Sequence, residues 1–399
     1  MKFILFDPVR TRQDLLPLTY TRPIADCRLG IMTIREKWEL FLSEKTFSLT
    51  EPYLEAKFSF CHEGGAHIYI NGSVIPDAAL VAQIRSLRED QTLTDGTHII
   101  AYHSAKPQLN YANIEAIAFS AEKAPYTVVC RKVNFPYDIF KMNGAEIQFD
   151  YELLTIGRDS QPLSHTNTLL GDPNKIFIEE GASVECCTFN VKDGPIYIGR
   201  DAEIMEGCHI RGPFALCDHA GLKMAAKIYG ATTVGPHCRV GGEVSNGVFF
   251  GYSNKGHDGF VGNSVIGEWC NLGADTNTSN LKNNYGNVEV WNYREGKDIP
   301  TGLQFHGLIM GDHSKSSINT MFNTGTVVGV AANVFDSGFP DKFIPSFTWG
   351  GAEGLETFRF DKALEVAVRM MERRHVELTQ ADIDILKVVF EKDKIYRKA

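Results

Sequence analysis

Eight aliphatic residues recur at a strict spacing of six: Ile198, Ile204, Ile210, Leu216, Leu222, Ile228, Val234 and Val240. If aliphatics make up roughly a fifth to a quarter of an average chain, chance produces such a run on the order of once in a hundred thousand trials. A period of six is not helical, because 3.6 residues per turn spreads those positions around the whole cylinder. It suits short strands joined by tight corners, three six-residue faces to a coil, with side chains stacked inward and backbones bonded between coils. The sequence therefore predicts a parallel β-helix. The pattern begins at Ile178 and Val184, slips by two at "NVKDGPIY", resumes at Val261, Ile266 and Leu272, and returns at Met310, Ser316, Phe322, Val328 and Val334. Residues 241–260 and 279–309 break the period and are expected to form surface loops, the usual seat of function on a rigid scaffold.

The flanks read differently. "KFILF" (2–6), "AHIYI" (66–70), "HIIAYH" (98–103) and "YTVVC" (126–130) are short β-rich runs, and helical stretches lie between them at 30–42 and 77–87. Alternating strands and helices predict an α/β layer domain of Rossmann-like type. A helix at 136–157 is expected to link it to the repeats, which gives an α/β domain at 1–157, a β-helix at 158–340 and a connector with C-terminal helices at 341–399. Those tail helices are expected to close the open end of the β-helix or to pack on a neighbouring subunit. Thr379, three residues before Asp382, suits a capping box for the second of them.

Composition narrows the classes. A chain of 399 residues with 43% hydrophobic content builds real cores, and it has neither an apolar run of about 18 residues nor a signal-peptide pattern, so a cytoplasmic location is the expectation. Nine cysteines without a C-x-x-C pair read as reduced, buried small hydrophobes. A net charge of −9 and a pI near 5.8 argue against nucleic-acid or anionic-membrane partners. Any phosphate must be met by local groups.

The stretch "NKGHDGFVGNSVIGEWCNLGADTN" (254–277) places His257 among glycines just before the wall resumes. Acyl transfer from a thioester to an amine needs a base that works near neutral pH, and histidine is the usual one. On position alone, His257 reads equally as that base or as a structural histidine at the surface or between subunits. The order of residues adds weight. Lys255, Gly256, His257, Phe260, the corner 261–266 and Asn271-Leu272-Gly273-Ala274 closely resemble the acetyltransferase segment of the bifunctional bacterial enzymes that acetylate glucosamine-1-phosphate and then uridylylate the product. The resemblance covers about 210–335 well and implies a left-handed β-helix that works as a homotrimer.

It also implies roles. His257 would be the general base with Glu243 near it. Lys227, Lys255, Phe260 and Asn271 would meet the sugar phosphate, and Ala274, Asn284, Tyr285, Ser316 and Ser317 would border an acetyl-CoA groove between subunits. Phe260 stands where that family has Tyr, Ser245 where it has Lys, and Lys227 where it has a phosphate-binding Arg, which bears on the acceptor because a sugar phosphate needs fixed cations. A zinc reading like that of trimeric β-helix carbonic anhydrases competes for His209, His219, His237, His257, His306 and His313, but no pair has the five-residue spacing that family requires. No metal site is expected there.

"RTRQDLLPLTYTRPIADCRLG" (10–30) is open between an ordinary βα loop and a nucleotide loop. Thr11-Arg12, Pro17-Leu18-Thr19 and Arg22-Pro23 resemble the opening of sugar-1-phosphate nucleotidyltransferases. That resemblance implies a nucleotide site at Thr11, Arg12, Arg22, Asn71 and Gly72, with Mg2+ if this domain is active. The departures are chemical: Pro8, Val9 and Arg10 replace the glycines whose N–H groups would approach a triphosphate, Ile24 replaces a lysine, and Ser73 replaces a metal-binding Asp. The domain reads as a reduced version of that family's. Three functions follow: acetyl transfer from acetyl-CoA to an amino-sugar phosphate, nucleotidyl transfer from UTP or dTTP with the β-helix used for assembly, or a non-catalytic trimer that binds sugar nucleotides.

Overall fold

The computed structural model describes residues 1–62, 64–104 and 109–397. The chain divides into two compact units: Met1–Cys27 with Met32–Phe135 and Gln380–Ile385, and Arg28–Ile31 with Pro136–Thr379 and Leu386–Ala399. The helix Pro136–Thr155 thus groups with the repeats, earlier in the chain than a boundary at 157.

The first unit is an α/β layer. Its sheet runs in the order Phe47–Leu49, Lys2–Phe6, His67–Asn71, Ile99–Ser104, Gln91–Thr94, Glu122–Pro125. Lys2–Phe6 is parallel to both neighbours, whereas Ile99–Ser104 is antiparallel to His67–Asn71 and to Gln91–Thr94. The helix Ile34–Leu42 begins at a capping box between Thr33 and Glu36, which satisfies two backbone donors left over at a helix start. It seats the buried Trp38, whose indole donates to the Val74 carbonyl at 2.8 Å. The helix Ala78–Arg85 is capped by Asp77. One expected strand is displaced: the last one is Glu122–Pro125, and "YTVVC" is not extended pairing at all. Val128 and Val129 are 57% and 89% exposed, so an apolar β-rich composition found no face to bury against.

The second unit is the left-handed parallel β-helix. All eight residues of the six-residue period are inside it and at most 2% exposed, each contributing about 1.5–3 kcal/mol of burial. One face stacks Ser183–Val184, Glu203–Ile204, Gly221–Leu222, Arg239–Val240, Asn254–Lys255, Asn271–Leu272, Lys315–Ser316 and Asn333–Val334 in parallel. Another stacks His209–Arg211, Lys227–Tyr229 and the starts of Glu243–Gly251 and Phe260–Glu268.

Residues 241–260 do not leave the wall as expected. They form a shortened coil: Val234 is in register with Phe249 fifteen residues on, whereas Leu216 is in register with Val234 eighteen residues on. Two things hide this in the sequence. The strand Glu243–Gly251 serves two faces without a break, and the wall position above Val240 is a lysine, Lys255. Residues 279–309 do leave the wall, as an excursion holding the antiparallel hairpin Glu289–Asn292 with Lys297–Pro300.

Along one corner His219, His237, Tyr252, Trp269 and His313 all take left-handed backbone angles. Their rings stack coil upon coil at 4.8, 4.6, 4.1 and 6.3 Å. At the far end Phe347 packs on Phe360 and Phe390 of the tail helices, and the Ser346 amide donates to Asp393 at 2.5 Å. The tail therefore does pack on the last coil.

Candidate functional site

His257 projects from the corner that follows Asn254–Lys255, and its side chain is exposed. The local sequence builds that corner from below. Gly241 and Gly242 lie in the coil beneath, where a Cβ would stand 2.8 Å from the Gly256 and His257 carbonyl oxygens respectively. Gly242 also has a φ of +68°, so only glycine lets the next corner settle at that height. From inside, Lys255 is 1% exposed and its Nζ donates to the carbonyls of His257 at 2.5 Å and Asp258 at 3.1 Å. Burial pushes the Lys255 ammonium down to about 8, against the pull of Asp258 and Asp275. Lys255 thus points into the wall and anchors the backbone that carries the imidazole. Among the described residues no polar side chain is within hydrogen-bond distance of the His257 ring, which leaves it open to solvent.

Glu243, Lys227 and Phe260 stand in one row on neighbouring coils, with Lys227 opposite Glu243 and Glu243 opposite Phe260. The Lys227 ammonium is 3.8 Å from Glu243 Oε2. Asn271 lies one coil above Asn254 and accepts from its amide at 3.0 Å. The residues expected at a cofactor groove are less gathered. Ser316 is 4% exposed and its hydroxyl is 2.8 Å from that of Thr276 inside the wall, while the Ala274 carbonyl accepts from Asn319. Asn284 lines an open groove of about 570 Å³ with Ser279, Lys282, Asn283, Asn323 and Phe339. Tyr285 beside it is 68% exposed with a φ of +58°. Of the other histidines, His219, His237 and His313 belong to the stacked corner, and His306 is fully buried against Tyr137 and Phe140. Among the described residues no three His, Cys, Asp or Glu side chains are grouped to hold a metal ion.

In the first unit, the loop after Lys2–Phe6 is folded inward. Arg12 is 3% exposed; it donates to Asp7 Oδ2 at 2.7 Å, to the Arg22 carbonyl, to Thr50 Oγ1 and to the Tyr53 hydroxyl, and also to the Thr19 carbonyl. Asp7 in turn accepts from Thr50 Oγ1 at 2.5 Å and from the Ile24 amide at 2.9 Å. Arg22 and Asn71 are each 4% exposed. Asn71 is committed to Ser73 and to the Ile99 carbonyl, and a Cβ at Gly72 would stand 3.2 Å from the Phe6 carbonyl. Thr11 is half-exposed and Arg10 exposed. The Val9 amide is taken by Glu115 at 2.9 Å. These groups do gather at the carboxyl ends of Lys2–Phe6 and His67–Asn71, where ligands of open α/β sheets bind, but most of their donors face one another. Beside them a groove of about 370 Å³ is lined by Thr50, Glu55, Phe58, Phe60, His62 and Tyr111. Sequence reasoning missed Asp7 and Thr50, which directly follow the strands Lys2–Phe6 and Phe47–Leu49, and Tyr53 and Glu115, which lie in the helical turns Pro52–Leu54 and Ile114–Ser120.

The order of parts, an α/β unit followed by a β-helix of six-residue repeats, is consistent with two-part proteins that join a sugar-nucleotidyltransferase domain to a hexapeptide-repeat acyltransferase domain. Residues 3–159 match the family described as sugar nucleotidyl transferase. Among curated proteins, the chain is 30% identical over 165 residues to a bifunctional sugar-1-phosphate nucleotidylyltransferase/acetyltransferase of Sulfurisphaera tokodaii, a match covering 41% of this chain and 40% of that one. It is 36% identical over 93 residues to the bifunctional protein GlmU of Methanocaldococcus jannaschii, covering 23% and 22%. The chain thus spans well under half the length of these relatives. Among solved structures, LpxA from Bacteroides fragilis, a UDP-N-acetylglucosamine acyltransferase, is 13% identical with a TM-score of 0.27, covering 59% of this chain and 83% of that one, a likeness too slight to bear on function. Among the described residues no helix is long and apolar enough to cross a membrane.

Proposed function

We propose that the β-helix transfers an acetyl group from acetyl-CoA to the amine of an amino-sugar phosphate of the glucosamine-1-phosphate kind, with His257 as general base. The observation that carries this reading is the His257 corner itself: an exposed imidazole with no structural partner, held by glycines below and a buried lysine behind. A fixed base of this kind takes the proton as the amine attacks the thioester carbonyl, and the CoA thiolate leaves. Glu243, steadied by Lys227, offers a carboxylate to the acceptor. Asn271 on the coil above supplies an amide, and the groove at Asn284 is assigned to the CoA end. Assembly as a homotrimer, a cytoplasmic setting and the absence of nucleic-acid and membrane partners belong to the same proposal. The test is release of free CoA from acetyl-CoA and glucosamine-1-phosphate: His257→Ala should abolish it, and unchanged turnover would overturn the assignment.

The family match of residues 3–159 favours a second reading for the N-terminal domain, sugar-1-phosphate nucleotidyl transfer. Magnesium-dependent release of pyrophosphate from UTP or dTTP with a sugar phosphate would support it. Tight binding without turnover in either assay would instead favour a sugar-nucleotide-binding role.

A further inference from the structure

Tyr229 ends the strand Lys227–Tyr229, one coil below Glu243, and its ring is 40% exposed. Its hydroxyl donates to Glu243 Oε1 at 2.5 Å, while the other carboxylate oxygen faces Lys227. Both oxygens of one surface carboxylate are therefore held, by a phenol and by an ammonium. Exposed pairs of this sort add little to stability, since water serves each group nearly as well. What they do fix is direction. The bond to Glu243, together with burial, pushes the Tyr229 phenol up to about 12, so it remains a donor throughout the neutral range.

On the coil above Glu243 the complementary group is missing. Phe260 leans over Gly262, where a Cβ would lie 2.6 Å from its Cζ, and it presents a bare ring beside the His257 corner. An amino sugar offers several N–H and O–H donors, and a bare ring receives none of them in a hydrogen bond. Only Glu243 in this row has acceptor capacity to spare, and its aim depends on Tyr229.

We propose that Tyr229 is an acceptor-positioning residue: its hydroxyl orients the Glu243 carboxylate so that the remaining lone pairs receive an N–H or O–H of the amino sugar presented to His257. This rests on the acetyl-transfer reading above. Tyr229 acts through Glu243 and performs no proton transfer of its own.

The experiment uses the full-length protein and its Tyr229→Phe variant, with acetyl-CoA and glucosamine-1-phosphate varied in turn. Loss of a bond to a charged group should lower kcat/KM for the acceptor by about tenfold to a hundredfold. The KM for acetyl-CoA, the pH dependence of kcat and the melting temperature should stay as they are. In a Glu243→Gln background, Tyr229→Phe should have little further effect, because the two act as a unit. An acceptor kcat/KM within about twofold of the parent, or a full additive loss on top of Glu243→Gln, overturns the assignment of Tyr229 and leaves acetyl transfer standing. A wild-type protein that acetylates no amino-sugar phosphate overturns the functional reading, and this inference with it.

Discussion

Lys255 makes the His257 corner a place where stability and activity should separate. Replacing it by Met keeps an unbranched stem in the wall above Val240 and removes the ammonium together with its bonds to the His257 and Asp258 carbonyls. Burial lowers the Lys255 pKa from 10.5 to about 8, a difference equivalent to about 3 kcal/mol. The sign follows from proton counting. Between pH 8 and 10.5 the unfolded chain still holds the Lys255 proton while the folded chain has released it, so the stability of the parent rises with pH across that window. Below pH 8 the cost of burying the charge is present in full. The Met variant lacks this dependence; the Asp258 carbonyl keeps the Asp275 amide as a donor, and the His257 carbonyl loses its ammonium partner. Urea denaturation of both proteins from pH 7.5 to 10.5 should show the variant ahead at the low end and that lead shrinking by about 3 kcal/mol at the high end. If His257 is the base proposed above, acetyl transfer by the variant should be slower at every pH, since a loosened corner would misplace it. A stability difference that does not change with pH would refute the burial argument. Unchanged turnover would refute the positioning one.

Three further outcomes are expected. Burial holds the His306 imidazole down to about 4; it is neutral when folded, so stability should be lost as pH falls from 6.5 towards 4, by up to about 3 kcal/mol. His306→Phe, which keeps the edge contacts with Tyr137 and Phe140, should flatten that part of the curve, and an equal fall in both proteins would count against His306 as its source. Gly242→Ala should cost about 1–2 kcal/mol from the left-handed backbone alone, and should also depress acetyl transfer because the new Cβ meets the His257 carbonyl; normal turnover would show that the corner accommodates it. Arg12→Ala leaves Asp7 buried without its counter-ion and should destabilise the N-terminal unit by about 3–5 kcal/mol without any nucleotide present. A stable variant that merely binds nucleotide less well would instead make Arg12 a ligand group.

The repeat was legible because inward aliphatics at spacing six leave a mark that few other folds imitate, and Ile198 through Val240 are all where that spacing puts them. Legibility failed where a position's role and its residue type parted. Lys255 occupies an aliphatic slot, so the coil around it looked like a gap, and Lys255 itself looked like a substrate contact when its amine in fact turns inward. Arg12 shows the same limit, since a guanidinium near a nucleotide-type motif can face a phosphate or its own loop, and only the positions of Asp7, Thr50 and Tyr53 decide which. Val128 and Val129 had strand-like composition but no layer to lie against. Tyr229 carried no signal at all, because its meaning comes from Glu243 fourteen residues later in sequence and one coil away in space.

The fifteen-residue step from Val234 to Phe249 has an evolutionary corollary. A solenoid grows or shrinks by duplication and loss of whole coils, since each touches only its neighbours. Copies of the coils below Val234, which step eighteen to twenty-one residues, change the length of the rod and leave the His257 corner untouched. A copy of the short coil would instead bring a second glycine pair, a second inward lysine and a second histidine. Rod length and the His257 corner are therefore set by different coils, the ordinary ones on one side and the fifteen-residue step on the other.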